Sequence, residues 1–199
     1  MTDHLTIAVY SNQAETYADM VSKGEPDADL QSFIDAIPAN GRVLDLGCGP
    51  GNSAAMMRDA GLQVDATDAC PQMIELAEKR HGIIARLESF AQLDSIACYD
   101  GIWANFSLLH AKRDDMPEHL SQIHRALHPH GYFHIGMKLG TGAKRDRLNR
   151  FYTYYSEAEL TDLLEQHGFS PLYKRQGEGK ALSGEIAPFI IIQSRKTDD

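Results

Sequence analysis

The sequence predicts an α/β protein built on a mostly parallel sheet with helices on both of its faces. Three observations carry that expectation. Short apolar runs alternate with amphipathic helical stretches along most of the chain, and one of those runs ends in a glycine-rich turn that opens directly into a helix. The last two runs follow one another with no helix between them, so they must pair antiparallel.

Taken in order, the first element is a helix from Ser11 to Lys23 with Ser11 as its cap. A second runs from Asp27 to Ile37, with Leu30, Phe33, Ile34 and Ile37 at helical spacing. Val43 to Leu46 reads as the first strand and Gln63 to Asp68 as the second, with the glycine turn and its helix between them. Pro71 opens a helix carrying Met73, Ile74 and Ala77, because proline suits a first helical turn, and Ile83 to Leu87 reads as the third strand. Tyr99 to Ala104 is the fourth strand, Pro117 to about Leu127 a helix, and Tyr132 to Met137 the fifth strand. Ser156 and Glu159 form a capping-box pattern for a helix reaching about His167. The closing strands are Phe169 to Gln176 and Pro188 to Ser194.

The run Val43-Leu44-Asp45-Leu46-Gly47-Cys48-Gly49-Pro50-Gly51-Asn52 is the most informative stretch. Glycines there allow a tight turn and let ligand atoms approach the backbone, while the helix that follows presents free amide groups. Asp68 ends the second strand 17 residues after Gly51, a spacing that suits a βαβ unit. An acidic side chain at that strand tip can accept both hydroxyls of a ribose; otherwise it caps the next helix. A nicotinamide dinucleotide site needs its third glycine three positions after the second, whereas Gly51 follows Gly49 by two and Asn52 stands in the required place. Asp45 argues the same way, since a carboxylate at the strand mouth suits a cationic ligand group and repels a pyrophosphate.

With Tyr99-Asp100-Gly101-Ile102-Trp103-Ala104-Asn105 and Leu127-His128-Pro129-His130-Gly131-Tyr132-Phe133 downstream, the chain resembles a class I S-adenosylmethionine-dependent methyltransferase of the small bacterial type, from about Tyr10 onward. The resemblance implies a Rossmann-like sheet of seven strands in the order 3-2-1-4-5-7-6, strand 7 antiparallel. It implies S-adenosylmethionine as cofactor, S-adenosylhomocysteine as product, and contacts from Tyr17, Asp45, Gly47, Cys48, Gly49, Asp68, Ala69, Ser89, Phe90 and Asn105. Phe90 is equally consistent with ordinary core. Relatives usually carry Pro-Gly-Gly where this chain has Pro129-His130-Gly131.

The 199 residues, 43% hydrophobic, suit a single domain (1–199), with 1–40 as a helical cap over the cofactor site and 41–199 as the Rossmann-like core. Neither a basic, apolar leader nor a membrane-length run is visible, so a cytoplasmic location is expected, with no membrane partner. Cys48, Cys70 and Cys98 lack disulfide or zinc spacing. A net charge of −9 opposes nucleic acid as a partner, because affinity for phosphate backbones rests on cations.

Methyl transfer from a sulfonium mainly requires alignment of nucleophile, methyl carbon and sulfur, with water excluded. Asn105 to His110 follow the fourth strand and are expected nearest the methyl group, and Asn105-Phe106-Ser107-Leu108 departs from the Asn-Pro-Pro-Tyr of nucleic-acid amino methyltransferases. His110 is the general-base candidate. Tyr10, Tyr152, Tyr154 and Tyr155 could line an acceptor pocket or close a core. His119, His124, His128, His130 and His134 read as solvated side chains, with no metal expected. Lys144, Arg145, Arg147 and Arg150 read either as a lure for an anionic substrate or as an exposed basic loop balanced by Asp146. Two functions remain from these motifs: methyl transfer to a small-molecule acceptor, or a catalytically silent module that binds the cofactor as a sensor or partner subunit.

Overall fold

The computed structural model describes residues 3–197. In chain order its helices and strands begin with α1 (His4–Asn12), α2 (Ala14–Val21), α3 (Ala28–Ala36), β1 (Arg42–Leu46), α4 (Asn52–Asp59), β2 (Gln63–Asp68), α5 (Pro71–His81), β3 (Arg86–Leu87) and β4 (Tyr99–Asn105). They continue with α6 (Met116–Ala126), β5 (Leu127–Lys138), β6 (Ala143–Arg145), β7 (Phe151–Thr153), α7 (Glu157–Gln166), β8 (Phe169–Lys180) and β9 (Ile186–Lys196).

Seven strands form one sheet in the order β3-β2-β1-β4-β5-β9-β8. The first five are mutually parallel, and β9 enters antiparallel to both β5 and β8. Counting only the strands of this sheet, the order is the expected 3-2-1-4-5-7-6. Side chains alternate across the strands, so Leu44, Leu46, Ile102, Phe133, Ile135 and Ile192 pack on α6 and α7, while Val43 and Trp103 pack on α3 and α4. Covering both faces is what a parallel sheet requires.

The N-terminus differs from the expected single helix. Asp3 caps α1, its Oδ1 accepting from the Thr6 amide at 2.8 Å, which carries Ser11 into the last turn of that helix. The chain then breaks at Gln13 (φ −120°, ψ 24°) and α2 starts afresh. This bend buries Ala14 and Ala18 against Cys70, Met73 and Leu76 of α5 and its cap.

Three other departures bear on the site. Only Arg86 and Leu87 of the expected third strand pair with β2, while Ile83 and Ala85 are buried beneath α4 and α5. Strand β5 begins at Leu127 rather than Tyr132, because Leu127 already pairs with Tyr99. The register then shifts, and the intervening Pro129-His130-Gly131 carries His130 at φ 61°, the left-handed region that glycine favours. Finally, 143–153 is no simple loop: β6 and β7 form a two-stranded antiparallel ribbon, and Arg150, 1% exposed, lies inside the protein.

Candidate functional site

Two cavities adjoin at the C-terminal end of the parallel strands. The first encloses about 930 Å³ including its open mouth and the second about 680 Å³. Tyr10, Tyr17 and Phe106 belong to the walls of both. The position agrees with the general rule that open α/β sheets bind ligands beyond the carboxyl ends of their strands.

Gly47, Gly49, Asp68, Ala69, Ser89, Phe90, Tyr17 and His110 all line the first chamber. Gly47 sits at φ 78°, and a Cβ on it would fall 2.5 Å from the Cβ of Ser107. That close approach is used: Ser107 Oγ donates to the Leu46 carbonyl at 2.6 Å, tying the turn after β4 to the turn after β1. Asp68 is gripped from below. Its Oδ2 accepts from the Gly49 amide and its Oδ1 from the Cys70 amide, both at 2.8 Å. Each oxygen therefore keeps a lone pair for a further donor.

Asp45 stands one layer behind the turn, 3% exposed and outside the chamber wall. Its Oδ2 is buried with no hydrogen-bond partner. Burial, reinforced by the nearby Asp68 charge, pushes its carboxyl up to about 7. Burial also raises Asp68, against the backbone amides that hold it down. Two carboxylates beside a glycine turn, one with an orphaned oxygen, fit a ligand that brings positive charge. Cys48 lies buried with its thiol on the Gly49 carbonyl at 3.5 Å, and burial holds that thiol well above its ordinary range.

Where the two chambers meet, a chain of polar groups runs through the wall. Arg150 donates from Nε and Nη2 to Asp146 Oδ2 at 3.0 and 2.7 Å, and from Nη1 to the Tyr10 hydroxyl at 3.0 Å. Tyr10 can then donate to His110 Nε2 at 2.9 Å, since His110 Nδ1 must carry the proton it gives to the Phe151 carbonyl at 2.6 Å. Burial, helped by Arg150 and Lys138, lowers His110 to about 4, so its ring is neutral at pH 7.

Asn105 is not brought into either chamber. Its Oδ1 accepts from His134 Nε2 at 3.2 Å, in a buried group where His134 stacks on Trp103 at 3.5 Å between ring centroids. The expectation of solvated histidines fails for three of the five: His134 is fully buried inside the sheet, His119 is buried in the first chamber beside Phe90, and His124 packs on Phe169 with its Nε2 buried. Asp3 and Asp115 also line that chamber and carried no local signal, since α1 and the turn before α6 reach it only through the fold. The Arg145 guanidinium holds Asp3 well below the usual carboxylate range. Among the described residues, no group of three or more His, Cys, Asp or Glu side chains is placed to hold a metal ion, and no helix is long and apolar enough to cross a membrane.

Comparison with known proteins agrees with this geometry. The family described as "Methyltransferase domain" matches residues 22–174. A malonyl-[acyl-carrier protein] O-methyltransferase of Pseudescherichia vulneris is 30% identical over 130 residues, 62% of this chain and 49% of that protein. A trans-aconitate 2-methyltransferase of Mycolicibacterium gilvum is 42% identical over 74 residues, 36% of this chain and 28% of that protein. The chain thus spans about half the length, or less, of these two relatives. Among solved structures, the Burkholderia thailandensis 1,6-didemethyltoxoflavin-N1-methyltransferase, with 1,6-didemethyltoxoflavin and S-adenosylhomocysteine bound, superposes with a TM-score of 0.76 at 24% identity. That match covers 98% of this chain and 88% of that one. With the family matched over most of its length and the sheet order in place, the chain belongs to the class I S-adenosylmethionine-dependent methyltransferases.

Proposed function

We propose that the protein transfers a methyl group from S-adenosylmethionine to a small-molecule acceptor. The observation that carries this reading is the pair of adjoining chambers with Tyr10, Tyr17 and Phe106 as their common wall. A donor pocket alone would serve a silent binding module equally well; a second cavity against the same wall gives the acceptor a place. The relatives' acceptors, as their names state them, are malonyl-acyl-carrier protein, trans-aconitate and 1,6-didemethyltoxoflavin, a range that supports a family accommodating diverse acceptors.

The cofactor, when bound, supplies an electrophilic methyl group on a sulfonium. Asp68 would take the ribose hydroxyls with its free lone pairs, and Asp45, from behind the turn, would balance the ammonium of the methionine part. Gly47, Gly49 and Ala69 would give the backbone cradle, Ser89 and Phe90 would hold the adenine, and Tyr17 would close the chamber from α2. Cys48 and Asn105 brace these walls from behind. His110 would receive an acceptor proton through the Tyr10 hydroxyl, Tyr10 passing its own proton to Nε2 as it takes one up. Neutral at pH 7, the ring is free to take up a proton that becomes acidic as the methyl group arrives.

Calorimetry with S-adenosylmethionine, S-adenosylhomocysteine and NAD tests the reading. Both methionine nucleosides are expected to bind and NAD to give no signal. Tight NAD binding with no response to either nucleoside would overturn it.

A further inference from the structure

The two chambers differ in charge. The first is lined by Asp3, which Arg145 pairs from outside the wall, and by Asp68 and Asp115, with no lysine or arginine among the described residues. The second is lined by Lys138, Arg150 and Lys180, with no aspartate or glutamate among the described residues. In a chain with 28 acidic and 19 basic residues, a cavity walled by cations alone runs against the composition. Acidic walls match a donor that carries sulfonium and ammonium charge; the second chamber presents the opposite field.

The three cations are not equivalent. Arg150 is already neutralised by Asp146, with both side chains 2% exposed. Lys180 lies at the exposed rim. Lys138, at the last position of β5, is half-buried, and its ammonium rests 3.9 Å from the centre of the Tyr152 ring. Among the described residues, no carboxylate is within ion-pair reach of it. The acids that it feels are Asp146, held by Arg150, and Glu185, which accepts from Ser183 Oγ at 3.2 Å. Burial and the Arg150 charge push the Lys138 ammonium below its ordinary range, as befits a cation without a counter-ion.

Resting on the methyltransferase reading above, we propose that the second chamber takes a small organic acid, with Lys138 Nζ as the counter-charge of its carboxylate and Leu109, Leu182 and Phe189 around an apolar body. The accepting atom would face the Tyr10, Tyr17 and Phe106 wall that the two chambers share. A monocarboxylate fits better than a phosphate ester, because Lys138 alone among the inner cations lacks a partner and a dianion would need more donors than it offers.

The test uses the full chain saturated with S-adenosylhomocysteine, and calorimetric titration with hexanoate and phenylacetate, each against its uncharged amide. The acids are expected to bind at least about tenfold more tightly than the amides, the usual scale of a charge-assisted hydrogen bond. Lys138→Met should erase that margin and Lys138→Arg should keep most of it, with S-adenosylhomocysteine affinity reporting that each variant is folded. Equal binding of acid and amide, no binding of either acid, or a margin that survives in Lys138→Met overturns the proposal. Failure of the first titration, with S-adenosylhomocysteine itself, overturns the methyltransferase reading instead and is seen before any acid is added.

Discussion

The Tyr10 hydroxyl lies 2.9 Å from Nε2 of His110, joining the first helix to the turn after the fourth strand across 100 positions of sequence. The Phe151 carbonyl fixes the tautomer, because Nδ1 is committed to it, and so leaves Nε2 to accept from the Tyr10 hydroxyl. That contact makes the two residues a unit whose removal should be read together.

His110→Ala should lower turnover by roughly 10²–10⁴-fold with donor affinity nearly unchanged, the range for loss of a positioned base. Tyr10→Phe should fall in the same direction, and the double variant should lose little more than the worse single one. Single-turnover rates decide the matter. A rise in the acceptor's Michaelis constant with an unchanged rate would reduce the pair to shaping the pocket.

Asp45 should make donor binding release a proton. Its carboxyl sits at about 7 in the unliganded protein, and pairing with an ammonium lowers it, so near pH 6.5 up to about one proton leaves and well above pH 7 almost none. Calorimetry in two buffers of different ionisation enthalpy measures this directly, and Asp45→Asn should abolish it. For the unliganded fold the sign is fixed too. The folded value is raised, so the stability that Asp45 contributes is complete below its ordinary 3.8 and is lost as the pH climbs through about 7.

Asp68→Ala should weaken donor binding by roughly 1–3 kcal/mol through loss of charge-assisted hydrogen bonds to the ribose. It should also cost about 1–2 kcal/mol of stability, because the Gly49 and Cys70 amides lose their acceptor. Calorimetry and thermal melts separate the two effects. Unchanged donor affinity with a lowered melting temperature would leave Asp68 as a brace for the turn and helix α5.

His130→Gly should stabilise the protein by up to ~1 kcal/mol, since a side chain at φ 61° gives up that much relative to glycine. His130→Ala should bring no such gain. The position lines neither chamber, so donor binding is expected to stay as it was.

The glycine turn and Asp68 were legible because each is written in contiguous residues: a strand, a turn that needs left-handed backbone, a helix, a strand-end acid; the sheet order followed only from the family resemblance that those motifs carry. Arg150 was not. In the sequence it stands among Lys144, Arg145 and Arg147 and reads as one more solvated cation, and only the ribbon buries it against Tyr10 and Asp146. His134 misled for the opposite reason. A polar residue in an apolar strand looks surface-facing until Trp103 and Asn105 arrive from β4 to cover it. The bend at Gln13 was hidden because the Asp3 cap that starts α1 lies upstream of the segment whose periodicity is conspicuous, and the packing of Ala14 and Ala18 on α5 joins distant segments. Contacts between distant segments decide such cases, and no local pattern encodes them.

The first helix is fastened to the ribbon at three heights: Asp3 to Arg145, the Thr6 hydroxyl to the Phe151 amide, and Tyr10 to Arg150. Tyr10 is at the same time a panel of both chambers. Along this edge the two rooms therefore share one door. If α1 and the ribbon swing away as a single leaf, spent donor and methylated product gain their exits together, and neither room can be unsealed there while the other stays shut.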